Sequence, residues 1–194
     1  MAAYNREESL RLLHAHIKSE RVLDHVYATE SVMRALACRL GNDEELWGIA
    51  GLIHDLDVEL AGFDFSIHGH RSKQILTDAG FDPEFVESVV MHNEAAFDWK
   101  ERTTEFQWAL AAGDRMTWLV YATKRAQPDK SLGSVTPELL LQRFHEEGFA
   151  RSVDRPTILE CLRLGIPLEE FVRICLDAMK NSTADSTEYG GNET

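Results

Sequence analysis

The sequence predicts an all-α protein, a single-domain helical bundle, and three observations carry that prediction. Apolar residues recur at three- and four-residue spacing along most of the chain, no stretch alternates as a half-buried strand does, and capping residues open and close segments of helical length. No Pro/Gly/Ser-rich break interrupts the 194 residues before the C-terminal region, and a chain of this length can bury one sizeable core.

The elements follow in order. Asn5 precedes a helix over Arg6 to Ile17. A second runs from Glu20 to Leu40 and stops at Gly41, a residue suited to a helix C-terminus. Asn42 or Asp43 can cap a third over Glu44 to Asp57, and Ser66 a fourth that ends at Gly80. Asp82-Pro83-Glu84 combines cap, first turn and favourable dipole charge for a helix through Asn93. Thr103 or Thr104, followed by Glu105, starts a long helix to Ala126. Thr136-Pro137-Glu138 repeats that start signal for a helix to Glu147, and Pro156 and Pro167 open two more. Residues 181–194 are polar and Gly-rich at their end, which predicts a disordered tail. The domain is thus expected to span 1–180, with loops at 59–66 and 96–103 available as lid or substrate contact.

Bulk properties narrow the function. A net charge of -13 opposes binding to nucleic-acid backbone or anionic membrane, so no general nucleic-acid or membrane partner is expected. Cys38, Cys161 and Cys175 form no CxxC pair and are odd in number, which predicts reduced core thiols rather than a disulfide framework. The N-terminus lacks the apolar run of a signal peptide, and no segment reaches the roughly 20 apolar residues of a membrane span. A cytoplasmic location is the expectation, and oligomeric state is not legible.

Six side chains of metal-ligand type stand out: His25, His54, Asp55, His68, His92 and Asp114. Imidazole and carboxylate suit zinc, iron, manganese, nickel and cobalt, and carboxylates also hold magnesium. His25 lies beside Val22 and Val26 on an apolar stripe, where it is either a hydrogen-bonded core residue or a ligand. His54 and Asp55 straddle the inward edge of the third helix. Asp57 and Glu59 follow at its end, where carboxylates oppose the dipole and call for a nearby cation or full solvation. Asp114 sits in ALAAGDRMTW, where burial needs a partner, either Arg115 or a metal.

Taken together, His25, His54-Asp55 and Asp114 resemble the signature of the HD-domain superfamily, a His, a His-Asp pair and a distant Asp, all on helices. His68 in SIHGHRS and His92 in VVMHNE match the two added histidines of some members. The resemblance covers about Glu20 to Ala122 and extends to small stand-alone HD hydrolases. It implies an HD-type bundle with a core over 20–122 and a helical extension over 136–180. One metal would be held by His25, His54, Asp55 and Asp114, and a second by His68 and His92, with Asp55 as bridge.

Two ions bridged by a carboxylate suit hydrolysis of a small phosphorylated metabolite or nucleotide by a metal-activated hydroxide. Asp55 is then a catalytic residue, and Asp57, Glu59 or His70 are candidates for the leaving-group proton. Lys and Arg outnumber acids between Arg115 and Arg155, either as a phosphate pocket or as a solvated face. Lys124 and Lys130, then Arg151 and Arg155, are the expected substrate contacts. The same six ligands allow two alternatives: a di-iron oxygenase of the HD type, or a non-enzymatic binding module on the same scaffold. Trp99, Trp108 and Trp118 read equally as core or as stacking surfaces.

Overall fold

The computed structural model describes residues 5–186, and among these every regular element is helical. The α-helices are α1 (Arg6–His16), α2 (Glu20–Leu40), α3 (Glu44–Ile53), α4 (His70–Asp78), α5 (Pro83–Val90), α6 (Glu105–Ala126), α7 (Pro137–His145), α8 (Arg155–Ile158) and α9 (Leu168–Ser186). Short 3₁₀ segments cover Met91–Phe97, Leu132–Ser134 and Leu159–Leu164. The expected caps form: Asn5, Asp43, Asp82, Thr104 and Thr136 each accept a backbone N–H from the first turn of the helix they precede. No described helix is long and apolar enough to cross a membrane.

α2 is the spine, packed against α3, α6 and α9. Its stripe of Val22, Val26, Met33 and Leu36 is buried, each side chain contributing roughly 1.5–3 kcal/mol of transfer free energy. α3 approaches α2 so closely that a Cβ on Gly51 would stand 2.6 Å from the Thr29 carbonyl oxygen. α2 and α6 run antiparallel: Asn42 reaches Glu105 at one end, Thr29 meets Thr117 midway, and the Tyr121 hydroxyl donates to the Asp24 carbonyl towards the other. This pairing sets His25 opposite Asp114.

Several boundaries differ from the sequence reading, and the differences cluster around the site. α3 ends at Ile53, and the chain continues as consecutive turns to Gly69 instead of helix to Asp57. α4 therefore starts at His70, not near Ser66. α5 stops at Val90, because Asn93 takes non-helical angles within the following 3₁₀ segment. α9 runs past Lys180 to Ser186, into the expected tail, whose remainder at 187–194 lies outside the described residues. Cys161 and Cys175 are buried thiols, but Cys38 is exposed, which corrects its assignment to the core.

Candidate metal centre

Five elements deliver the six side chains. α2 supplies His25, the first turn after α3 supplies His54 and Asp55, and the turn before α4 supplies His68. The 3₁₀ segment after α5 carries His92, and the middle of α6 carries Asp114. All six are buried, the most exposed being Asp55 at 6%.

Five of them fall into two overlapping groups, and His68 adjoins the second. One ligand atom each from His25, His54 and Asp114 lies within 4.8 Å of the others, and the same holds for His54, Asp55 and His92. His25 Nε2 is 3.2 Å from His54 Nε2 and 3.0 Å from Asp114 Oδ1. His68 Nε2 is 2.9 Å from His92 Nε2 and 3.0 Å from Asp55 Oδ1. Asp55 faces both sides: Oδ2 is 3.7 Å from His25, while Oδ1 is 3.4 Å from His54 and 3.5 Å from His92.

What makes this a ligand set is the far side of each ring. His54 Nδ1 and His92 Nδ1 each donate at 2.8 Å, to the carbonyls of Gly51 and Val89. His68 Nδ1 donates to Asp57 Oδ1 at 2.7 Å. The Thr117 hydroxyl donates to the Asp114 carbonyl, which leaves it to accept from His25 Nδ1 at 3.0 Å. Every neutral ring thus carries its proton on Nδ1 and aims a bare Nε2 inward, the arrangement outer partners impose on metal-bound histidines. With all four rings neutral, four imidazole lone pairs and two carboxylates would face one another and repel; protons shared with Asp55 relieve that repulsion without metal, and a divalent cation relieves it by taking their place. The donor set therefore fits such an ion.

Electrostatics agree. Burial opposes ionisation of Asp55, yet the His54 charge and hydrogen bonds from His68 and His92 hold its carboxyl well below the usual range. Asp114 behaves likewise, through Arg115, His25 and His54. Arg115 donates to Asp114 Oδ2 at 2.8 Å while Oδ1 faces the histidines, so the two partners considered for this aspartate occupy different oxygens. Burial keeps His92 below the ordinary histidine range, helped by the charges of His54 and His68. His68 resists burial's effect: the bonds it donates to the Asp55 and Asp57 carboxylates push it up to about 10.

The structure redirects the other expected site residues. Asp57 is not a proton donor, because its carboxylate is saturated by His68, the amides of Gly69 and Arg71, and the Ser72 hydroxyl. Those bonds hold it ionised, below the usual carboxylate range despite its burial. Gly69 can donate there because it takes φ +109, a conformation open to glycine. Glu59 accepts from the amides of Lys18 and Ser19 and ties the turn region to the start of α2, so it too is withdrawn from the acid role. His70 is exposed and packs on Phe97, away from the inward-facing set.

A cavity of 520 Å³ opens above the centre, with Asp55, His68, His92 and Asp114 on its floor. Its walls include Phe63, Phe65, Trp118 and Val153, and its cationic residues are Arg21, Arg115 and Arg125. None of the four expected basic contacts lines it. Lys124 lines a separate cavity beside α1 and α9. Lys130 is exposed in a left-handed turn. Arg151 is exposed beside Gly148. Arg155 spends its guanidinium on the carbonyls of Phe149, Ala150 and Val153, bracing the cavity wall from behind. Arg21 and Arg125 were legible only as register: Arg21 stands one turn before His25, and Asp114, Trp118 and Arg125 share a face of α6. Trp118 stacks on His25 with ring centroids 4.2 Å apart, whereas Trp99 is exposed and Trp108 packs beneath Arg163.

Two residues missed in the sequence lock the centre's outer half. Asn93 donates to the carbonyls of Phe65 and His68, at 2.8 and 2.9 Å, clasping the cavity wall to the segment that carries His92. Arg102, buried between Glu94 and Glu160, donates to the Met91 carbonyl next to His92.

An all-helical domain with paired histidine and aspartate ligands at the base of a cavity defines a class of metal-site proteins. Within it, a family model described as HD domain matches residues 22–128, more than half of the chain, and the protein belongs to that family. No curated protein and no solved structure matches it.

Proposed function

We propose that the protein is a metal-dependent phosphohydrolase acting on a small phosphorylated metabolite or nucleotide. The observation that carries this reading is the convergence of four inward Nε2 atoms and two carboxylates, of which His68, His92, Asp55 and Asp114 floor a cavity whose other charged residues are arginines. His25, His54, Asp55 and Asp114 would hold one ion and His68 and His92 a second, with Asp55 between them. When bound, such ions lower the pKa of water to near neutrality and polarise a phosphoryl oxygen.

The chain's own residues supply the rest. Arg115 keeps Asp114 ionised and presents positive charge to the cavity, where it can neutralise a phosphoryl oxygen. Phe63, Phe65 and Trp118 exclude water from one side of the bound ester and strengthen those charge interactions. Asp57 fixes His68 in the tautomer that points Nε2 at Asp55.

A phosphatase screen on the purified protein tests the reading. Hydrolysis is expected that chelator abolishes and Mn, Co, Ni or Mg restores, and that Asp55→Ala removes altogether. Turnover by Asp55→Ala equal to the parent protein would refute it. So would iron at two ions per chain with oxygen uptake and no phosphate release, which would mark an oxygenase instead.

A further inference from the structure

We infer that the mouth of the cavity is a second anion subsite formed by Arg21 and Arg125, and that the substrate is a phosphoester bearing a further anionic group across an apolar body. This rests on the phosphohydrolase reading for the reacting group only.

The charge pattern is the first ground. The chain has 33 acidic against 20 basic residues, yet among the described residues arginines without a carboxylate also occur elsewhere on its surface, as at Arg71 and Arg151, so what sets a pair apart is its place in the cavity. Arg21 and Arg125 line the cavity, and neither pairs with a carboxylate within 4.0 Å among the described residues. Two guanidiniums kept free side by side repel each other, and an anionic ligand offsets that cost.

The second ground is register. α2 and α6 are antiparallel, with Thr29 beside Thr117 and Asp24 beside Tyr121, and continuing that pairing brings Arg21 alongside Arg125. The pair thus sits at one end of the helix couple, beyond His25 and Asp114.

The third ground is what lies between. Trp118 stacks on His25 with one face and carries Arg21 5.1 Å from its ring centroid. An indole therefore separates the metal-facing ligand from the mouth arginine. Along α2 the interval is four residues, about 6 Å. Phe63, Phe65 and Val153 also face the cavity. At 520 Å³ it accommodates far more than a bare phosphate. A flat or apolar body joining two anions fits this sequence of metal ligand, ring and arginine.

The test is equilibrium binding to the full-length, Mn-loaded protein by calorimetry, with three probes whose C–P bonds are not hydrolysed: phenylphosphonate, 4-phosphonobenzoate and benzene-1,4-bisphosphonate. At least one of the two doubly anionic probes should bind about tenfold or more tightly than phenylphosphonate. Which one does distinguishes a carboxylate from a phosphate as the second group. In Arg21→Gln/Arg125→Gln the ratio should fall below about threefold, and each single exchange should give an intermediate ratio. Equal affinities for all three probes, no binding of any, or an undiminished ratio in the double variant would each overturn the subsite. If no phosphoester is ever hydrolysed but the arginine-dependent ratio appears, the subsite stands and only the reaction falls.

Discussion

Asp57→Asn offers a severe trial of the centre, because it changes one atom at a residue that lies behind a ligand. The Asp57 carboxylate accepts His68 Nδ1 at 2.7 Å, Gly69 N at 2.9 Å, Arg71 N at 2.9 Å and Ser72 Oγ at 2.9 Å. An amide nitrogen in place of either oxygen sets a donor against a donor. If it replaces Oδ2, the Arg71 amide loses its acceptor and the Gly69 amide keeps only Oδ1, at 3.1 Å. If it replaces Oδ1, His68 and Ser72 lose theirs. At least one bond to a charged group is lost either way, at roughly 1.5–3 kcal/mol each, and folding stability should fall by about 1.5 kcal/mol or more. The second effect is sharper. With the nitrogen at the Oδ1 position, His68 loses its acceptor and can move its proton to Nε2, which then points at Asp55 and His92. Affinity for the ion on that side should drop about 10–100-fold, as for other outer partners of metal ligands. His25, His54 and Asp114 make no bond to Asp57, so the other ion should remain. Competition titration against a chromophoric chelator would resolve the two affinities, and ¹⁵N shifts of the imidazole nitrogens would report the tautomer. Two ions bound with unchanged affinities would refute the role given to Asp57.

Three further outcomes follow from the same geometry. Gly51→Ala places a methyl 2.6 Å from a backbone oxygen that cannot yield, at an overpacking cost of about 1–3 kcal/mol, and it displaces His54 three residues later. The melting temperature should fall and both metal affinities should weaken, whereas a rise in melting temperature would show that the α2–α3 contact is looser than described. His68 stands at about 10 without metal and must be neutral to ligate, so metal uptake should release a proton and tighten with pH up to that value. Calorimetry in two buffers of different ionisation enthalpy counts that proton. The raised value also stabilises the metal-free fold: the contribution is complete below the unfolded histidine value of about 6.5 and is lost as pH rises through about 10. Urea titrations at pH 6 and 10 should show that loss, and greater stability at pH 10 would contradict it. Arg102→Leu strands Glu94 and Glu160, so it should cost about 3–5 kcal/mol and loosen the His92 segment, seen as faster amide exchange there.

The helical class, most of the caps and the inward direction of His25, His54 and Asp114 are local matters. Periodicity and capping depend on residues within a turn or two of each other, so one strand of text suffices to read them. The candidate ligands were weak signals one by one, and their order along the chain, which resembles the HD-domain pattern, made them legible as a set. What each side chain meets is not local. Asp57 and Glu59 looked like free acids at a helix end, but α3 stops four residues before Asp57, and the turns that follow carry one carboxylate behind His68 and the other to the start of α2. The basic run after Asp114 read either as a phosphate pocket or as a solvated face, and α6 ends at Ala126 and the chain turns away, leaving Lys130 in solvent and Arg155 behind the wall. Arg125 remained on the cavity face, and Arg21 joined it from the far side of the sequence. The sequence by itself determined which residues could ligate and that α-helices would carry His25 and Asp114, while His54, Asp55 and His68 came to lie on turns. Only the tertiary structure decided the Nδ1 partners that aim each imidazole and the two arginines that face the cavity, because interhelical register and turn trajectory come from packing between segments distant in the chain.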